Sequence, residues 1–412
     1  MVFNKRDAKR DQCMLTGKYK KCGYDWWWHS LTAVNDATGE ERPFFFEYFV
    51  CNPALGGKEP VLGQLPANKE AGKRPSYLMV KAGTWLEGGC HLHRFFGWDD
   101  VKMKWGAPYS VEAADCFCDI THMKGHVAVT KEESEAHPEL MCVGYGDLSW
   151  DIKIDPQIAW NVGWGASGPL RAMKAYQMFW HAEGIKTYYS GHIIYNGQSY
   201  TVKPETCNGY TDKNWGSDFT TPWVWLSSWD LTSKKTGKKL QNSVLEIGGG
   251  TPKIGPITLK GKLLGCFYYE GTEYEFNFSK FWTGSKTFYQ CGESDDEIIW
   301  HVDQKTRKAR LVSDFRCAKK DMLQVKYEAP NGQMLHNRLW NGGNAHGTIT
   351  LYDKKGEVID EIEVKRMGCE YGVFDGNPEW VYDKDGKPVC EVDVGEVDKK
   401  LDELYGRSAS KE

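Results

Sequence analysis

The chain has 412 residues and a net charge of -4, with 26% charged and 41% hydrophobic residues. This is the balance of a water-soluble globular protein long enough for two domains. It has no basic stripe for a nucleic acid partner, and no apolar run reaches the roughly 20 residues of a membrane span.

The start, Met1 to Arg10, is too polar for a targeting peptide and holds Asp7 among its bases. With thirteen cysteines, an odd number, the expectation is a cytoplasmic protein with reduced thiols. Next comes an aromatic run, Trp26-Trp27-Trp28-His29-Ser30, followed by the alternating segment Phe44 to Val50. His91 and His93 would share one face of a strand, as metal ligands do, yet no third or fourth ligand has recognisable spacing. Cys116-Phe117-Cys118 is not a Cys-x-x-Cys pair, so core or surface roles suit these residues better than a metal. Strand-like runs follow at Tyr188 to Val202, Thr221 to Trp229, Leu263 to Phe278 and Gly347 to Val364, separated by Gly, Asn, Asp and Lys turns. Only the tail, Glu396 to Tyr405, has convincing helical spacing, through Val397, Leu401, Leu404 and Tyr405.

The predicted class is therefore all-β and mostly antiparallel, with a short C-terminal helix. An internal repeat divides it. Trp26 to Ser30 followed by Ala37-Thr38-Gly39 parallels Trp223 to Ser227 followed by Lys235-Thr236-Gly237, and Gly191 to Tyr195 parallels Gly347 to Leu351. Repeats in the same order predict two tandem barrels or sandwiches, residues 1–218 and 219–412.

The densest chemistry lies in Gly209-Tyr210-Thr211-Asp212-Lys213-Asn214-Trp215-Gly216. In an extended chain Asp212 and Asn214 point one way and Lys213 and Trp215 the other. An acid in an aromatic pocket keeps its proton near neutrality and can protonate an alkene or an enone. Asp212 and Asn214 also suit a turn in which they satisfy local backbone groups. To aim Asp212 inward together with Trp215, the segment would have to be an irregular turn. Tyr210 stands close enough to relay a proton. Trp215, Trp223 and Trp225 offer π faces to a developing cation, or fill the core. His192 and His181 are further acid–base candidates. Glu246, beside Gly248-Gly249-Gly250, would face the pocket or the solvent. The triple glycine has neither the Lys-Ser/Thr of a phosphate loop nor the full dinucleotide pattern, and no Gly-x-Ser-x-Gly elbow occurs.

The stretch Gly191 to Gly197, Tyr210 to Gly216, Pro222 to Trp225 and Gly248 to Gly250 resembles the tocopherol cyclase family, and its motif is similar to those of carotenoid 1,2-hydratases and lipocalin-like Diels–Alder cyclases. The match is best from Trp180 to Gly250 and fainter at Trp26 to Asn52 and Leu339 to Tyr371. The chain departs from the pattern with Asp212 where Glu is usual and Thr211 before it. The resemblance implies two lipocalin-like domains and an acid at Asp212 with Asn214 in the same motif; Tyr210 is a candidate by its nearness to Asp212. It also implies a cofactor-independent, metal-free cyclase or isomerase that closes a ring in a hydrophobic phenolic substrate, either a prenylated phenol or a chalcone-like enone. The alternatives are hydration of an isoprenoid double bond and a non-catalytic lipid or pigment carrier. A lipid substrate would bring peripheral contact with a membrane.

Overall fold

The computed structural model describes residues 3–160, 166–254, 257–259 and 262–373. It is all-β, as the alternating runs imply, and consists of two large antiparallel, barrel-like sheets in tandem. The first has twelve strands, from Tyr24–Asn35 to Gly209–Gly216. The second has eleven, from Trp223–Ser228 to Val358–Val373. Helices such as Lys5–Arg10, Pro66–Glu70 and Lys131–Ala136 are short connectors. The expected helix at Glu396 to Tyr405 lies outside the described residues.

Both sheets are built alike at the point that matters. In each, the first strand pairs antiparallel with the last: Tyr24–Asn35 with Gly209–Gly216, and Trp223–Ser228 with Val358–Val373. The first strand of each is the aromatic member of the internal repeat.

Tyr24–Asn35 is buried almost throughout because it has cores on both faces. Trp27 and Leu31 point into the first sheet's own core, with Phe46, Leu78 and Trp150. Trp26 and Trp28 point the other way, into a third core shared with the second sheet through Trp225, Leu264, Tyr327 and Leu339. Such a run reads as continuous hydrophobicity instead of alternation. The second sheet closes on its own core of Leu226, Ile247, Trp300 and Ile349. Polar links reinforce the shared core. Tyr327 donates to Glu47 at 3.1 Å, Tyr77 to Glu328 at 3.1 Å and Trp85 to Asn341 at 2.5 Å, each joining one sheet to the other.

The Gly209–Gly216 segment corrects the expectation of an irregular turn. It is a regular strand, paired residue for residue with Tyr24–Ser30 and buried along its whole length. An ordinary two-residue pleat already brings Tyr210, Asp212 and Asn214 to one side.

Candidate functional site

Asp212 lies directly opposite Trp28 in the first sheet, and Glu370 lies opposite Trp225 in the second. Both carboxyls line one narrow cavity in the shared core. Its other walls are Trp26, Trp28, Met178, Trp223, Trp225, Tyr327 and Leu339. The cavity therefore sits between the two sheets and draws one acid from each.

The Asp212 side chain is fixed through a single oxygen. Its Oδ2 accepts the indole N–H of Trp180 at 2.6 Å and the hydroxyl of Tyr210 at 2.9 Å. Its Oδ1 is buried and has no hydrogen-bond partner among the described residues. Burial pushes this carboxyl well above the usual range; the Tyr210 and Trp180 bonds oppose that rise and the charges of Glu183 and Glu370 add to it. The neutral form is favoured, and with two donors already on Oδ2 the acid proton falls to Oδ1.

Behind Asp212 the chain of polar contacts continues. The Tyr210 hydroxyl also lies 3.1 Å from Glu246 Oε1, which accepts the Trp225 indole N–H at 3.0 Å. Burial raises Glu246 as well, and the nearby charge of Asp212 adds to it. A phenol has one proton to give and here touches two carboxyls, so it can pass a proton between them. Glycines make room for the indoles. A Cβ on Gly248 would stand 3.1 Å from the Trp180 ring, and one on Gly368 only 2.4 Å from the Trp225 ring.

Across the cavity, Glu370 is held by the Trp223 indole and the Asn341 amide. Burial raises it to about 7; the hydrogen bonds from Trp223 and Asn341, and the charge of Lys81, restrain the rise. Lys81 is fully buried, is ion-paired with Glu47 and stands 3.8 Å over the Tyr327 ring. Burial lowers its pKa, against the pull of Glu47.

A second, wider cavity adjoins the first and shares Met178 and Trp223 with it. Trp180, Asn214, Gly249, Gly250, Leu264 and Phe278 are among its walls. Asn214 is fully buried and its amide nitrogen has no partner among the described residues, which leaves a donor for a ligand oxygen.

The sequence-derived residues thus divide. Tyr210, Asp212, Trp225 and Glu246 meet in one hydrogen-bonded cluster, Trp223 lines the same cavity bonded to Glu370, and Asn214 faces the neighbouring space. Trp215 does not join them. Strand alternation turns it to the opposite face, where it stacks on Phe179 at 5.6 Å, and Lys213 pairs there with Asp25 at 2.6 Å. His192 is exposed, farther along the same strand that carries Trp180, and lines neither cavity. His181 is buried on the face away from Asp212. His91 and His93 face each other at 3.3 Å inside the core, as expected of packed residues. Sequence reasoning missed Trp180, Glu370 and Tyr327. The one hint for Glu370 is a lone carboxyl in the otherwise apolar and glycine-rich Gly368-Cys369-Glu370-Tyr371-Gly372.

No protein-family model matches the chain. Among solved structures it is similar to an AttH-designated protein from Nitrosomonas europaea, at 12% identity and a TM-score of 0.42, over 85% of this chain and 92% of that one. It is also similar to kievitone hydratase from Nectria haematococca, at 11% identity and a TM-score of 0.43, over 91% and 93%. At these values neither likeness assigns a family or a reaction. No helix among the described residues is long and apolar enough to cross a membrane.

Proposed function

We propose that the protein is an enzyme that adds an oxygen nucleophile across a carbon–carbon double bond of a hydrophobic substrate, by acid–base catalysis between its two sheets. The observation that carries this reading is the buried Asp212 carboxyl at the wall of the aromatic cavity, anchored by Oδ2, with Oδ1 unpartnered among the described residues. A carrier has no use for such an acid, which is costly to desolvate.

In the cyclising form, Asp212 gives its proton to an alkene carbon. A C–H bond forms, the π bond breaks and positive charge develops on the neighbouring carbon, beside the faces of Trp26, Trp28, Trp223 and Trp225. The substrate's own phenol oxygen then forms the C–O bond and yields its proton to Glu370. The product is an isomer of the substrate. Glu370 then returns that proton to Asp212 within the cavity they share, which restores both acids; Tyr210 holds the Asp212 carboxyl in place and is itself linked to Glu246, and the Asn214 amide holds a substrate oxygen in the adjoining cavity. The sequence resemblance to tocopherol cyclases favours this form. The two-domain division at residue 218 belongs to the same proposal, with the cavity between the units.

One observation favours hydration as the second reading. The inner cavity has room for about two water molecules beside Asp212, and water in that position would replace the phenol as nucleophile. The test is a panel of prenylated phenols, chalcones and polyenes analysed by mass spectrometry. Product of unchanged mass supports cyclisation, and product heavier by one water supports hydration. Tight binding without conversion across the panel would sink both and leave a carrier.

A further inference from the structure

On the far side of the Gly209–Gly216 strand, three side chains from distant parts of the chain converge. Asp11, His181 and Glu183 are buried, and one ligand atom from each lies within 4.8 Å of the others. His181 and Glu183 are two residues apart on the Met178–Tyr195 strand and so project to the same side. Asp11 comes from the N-terminal segment, where its backbone carbonyl accepts the Trp27 indole N–H at 2.9 Å. His181 Nε2 stands 3.2 Å from Asp11 Oδ1.

Neither carboxylate oxygen of Asp11 accepts a hydrogen bond from the described residues, and Glu183 Oε2 has no donor among them either; Glu183 Oε1 takes the Thr211 hydroxyl at 2.9 Å. The nearby cations are already committed. Arg10 pairs with Asp7 at 3.0 Å and Lys213 with Asp25 at 2.6 Å. Two buried carboxyls are therefore left without a cation of their own, an expensive arrangement unless a proton or a metal ion neutralises it.

We infer that Asp11, His181 and Glu183 form a binding site for one divalent first-row transition cation, which fastens the N-terminal segment to the first sheet. Two carboxylates and an imidazole are the donor set of zinc or manganese. Calcium prefers six to eight oxygens, more than this cluster offers. Ligands on one such ion at bonds of about 2.1 Å lie at most about 4.2 Å apart, so small side-chain shifts close the triad. The Asp7 backbone carbonyl stands beside the His181 ring as an acceptor, the kind of outer contact that orients an imidazole ligand. The site stands apart from the Asp212 cavity, and the inference does not depend on the proposed reaction.

Manganese is the suitable probe because it ignores thiols, of which the chain has many. The full-length protein is stripped with a chelator and titrated with Mn2+, bound ion being read by loss of the free-ion electron paramagnetic resonance signal and stability by thermal unfolding. One equivalent should bind, Zn2+ should displace it, and Tm should rise by several degrees at saturation. Asp11→Asn and Glu183→Gln should each weaken binding at least tenfold, with the Tm increment lost. Glu183→Gln keeps an acceptor for Thr211 and so guards against simple misfolding. Absence of stoichiometric binding to the unmodified protein at millimolar Mn2+, or binding unchanged in both variants, would overturn the inference and leave an ion-paired cluster.

Discussion

Two equally buried carboxyls in one cavity differ in how they are held. Asp212 receives its two hydrogen bonds on a single oxygen and is pushed well above the usual carboxylate range, whereas Glu370 receives one on each oxygen and is raised to about 7. Asp212→Asn keeps the acceptor for Trp180 and Tyr210 but removes the acid proton. Turnover should fall by about 10²- to 10⁴-fold while binding of the same substrate, followed by quenching of tryptophan fluorescence, persists. Equal losses in both would mean that Asp212 only shapes the cavity. Glu370 also makes a prediction about stability. Its folded pKa lies above the ordinary 4.5, so the fold favours its protonated form. That contribution is fully present below about 4.5 and is lost as pH rises through about 7. Glu370→Gln should therefore gain stability relative to the parent between those pH values and hold a constant difference above them. Urea unfolding at pH 5 and pH 8 checks the sign.

At the level of strands, the site depends on indoles seated against glycines. Gly368 sits under the Trp225 ring, and a methyl group there has no space. Gly368→Ala should cost about 1–3 kcal/mol through overpacking and should swing the Trp225 indole off Glu246. Thermal unfolding and a shifted tryptophan emission report the two effects separately. An unchanged emission would show that the ring is not confined as described. Met178 borders both cavities beside Trp223, and its unbranched chain is the most easily moved part of that partition. Met178→Ala should speed the uptake of a bulky hydrophobic probe in stopped-flow fluorescence. A slower or equal rate would place the entrance elsewhere.

Over the whole molecule, the shared core makes the two sheets interdependent. Trp26, Trp28 and Phe49 from one sheet pack with Trp225, Leu264 and Tyr327 from the other, and each sheet brings one carboxyl to the cavity. Residues 1–218 and 219–412 produced separately should each expose this aromatic face, bind hydrophobic dyes, self-associate on size-exclusion chromatography and lack activity. A half that stays monomeric, binds no dye and retains turnover would show that the cavity between the sheets is not where the reaction occurs.

The sequence alone determined the all-β class, because alternating runs and turn residues act locally. It also determined the cluster on the Gly209–Gly216 strand, because a two-residue pleat turns Tyr210, Asp212 and Asn214 to one side without help from the rest of the chain. The same pleat excludes Trp215, and the expectation of an irregular turn failed by asking both faces to serve one pocket. Trp223 and Trp225 were legible through an aromatic strand that resembles the cyclase pattern, and Glu246 through its place beside the triple glycine. Tertiary structure alone decided the rest. Trp180 reaches Asp212 through sheet pairing, and Glu370 arrives from the last strand of the second sheet. Asp11 meets His181 and Glu183 across some 170 residues of chain. None of these leaves a spacing signal, since which distant side chains share a cavity is set by how two sheets pack, and burial, hydrogen bonds and neighbouring charges together then set how firmly each acid holds its proton.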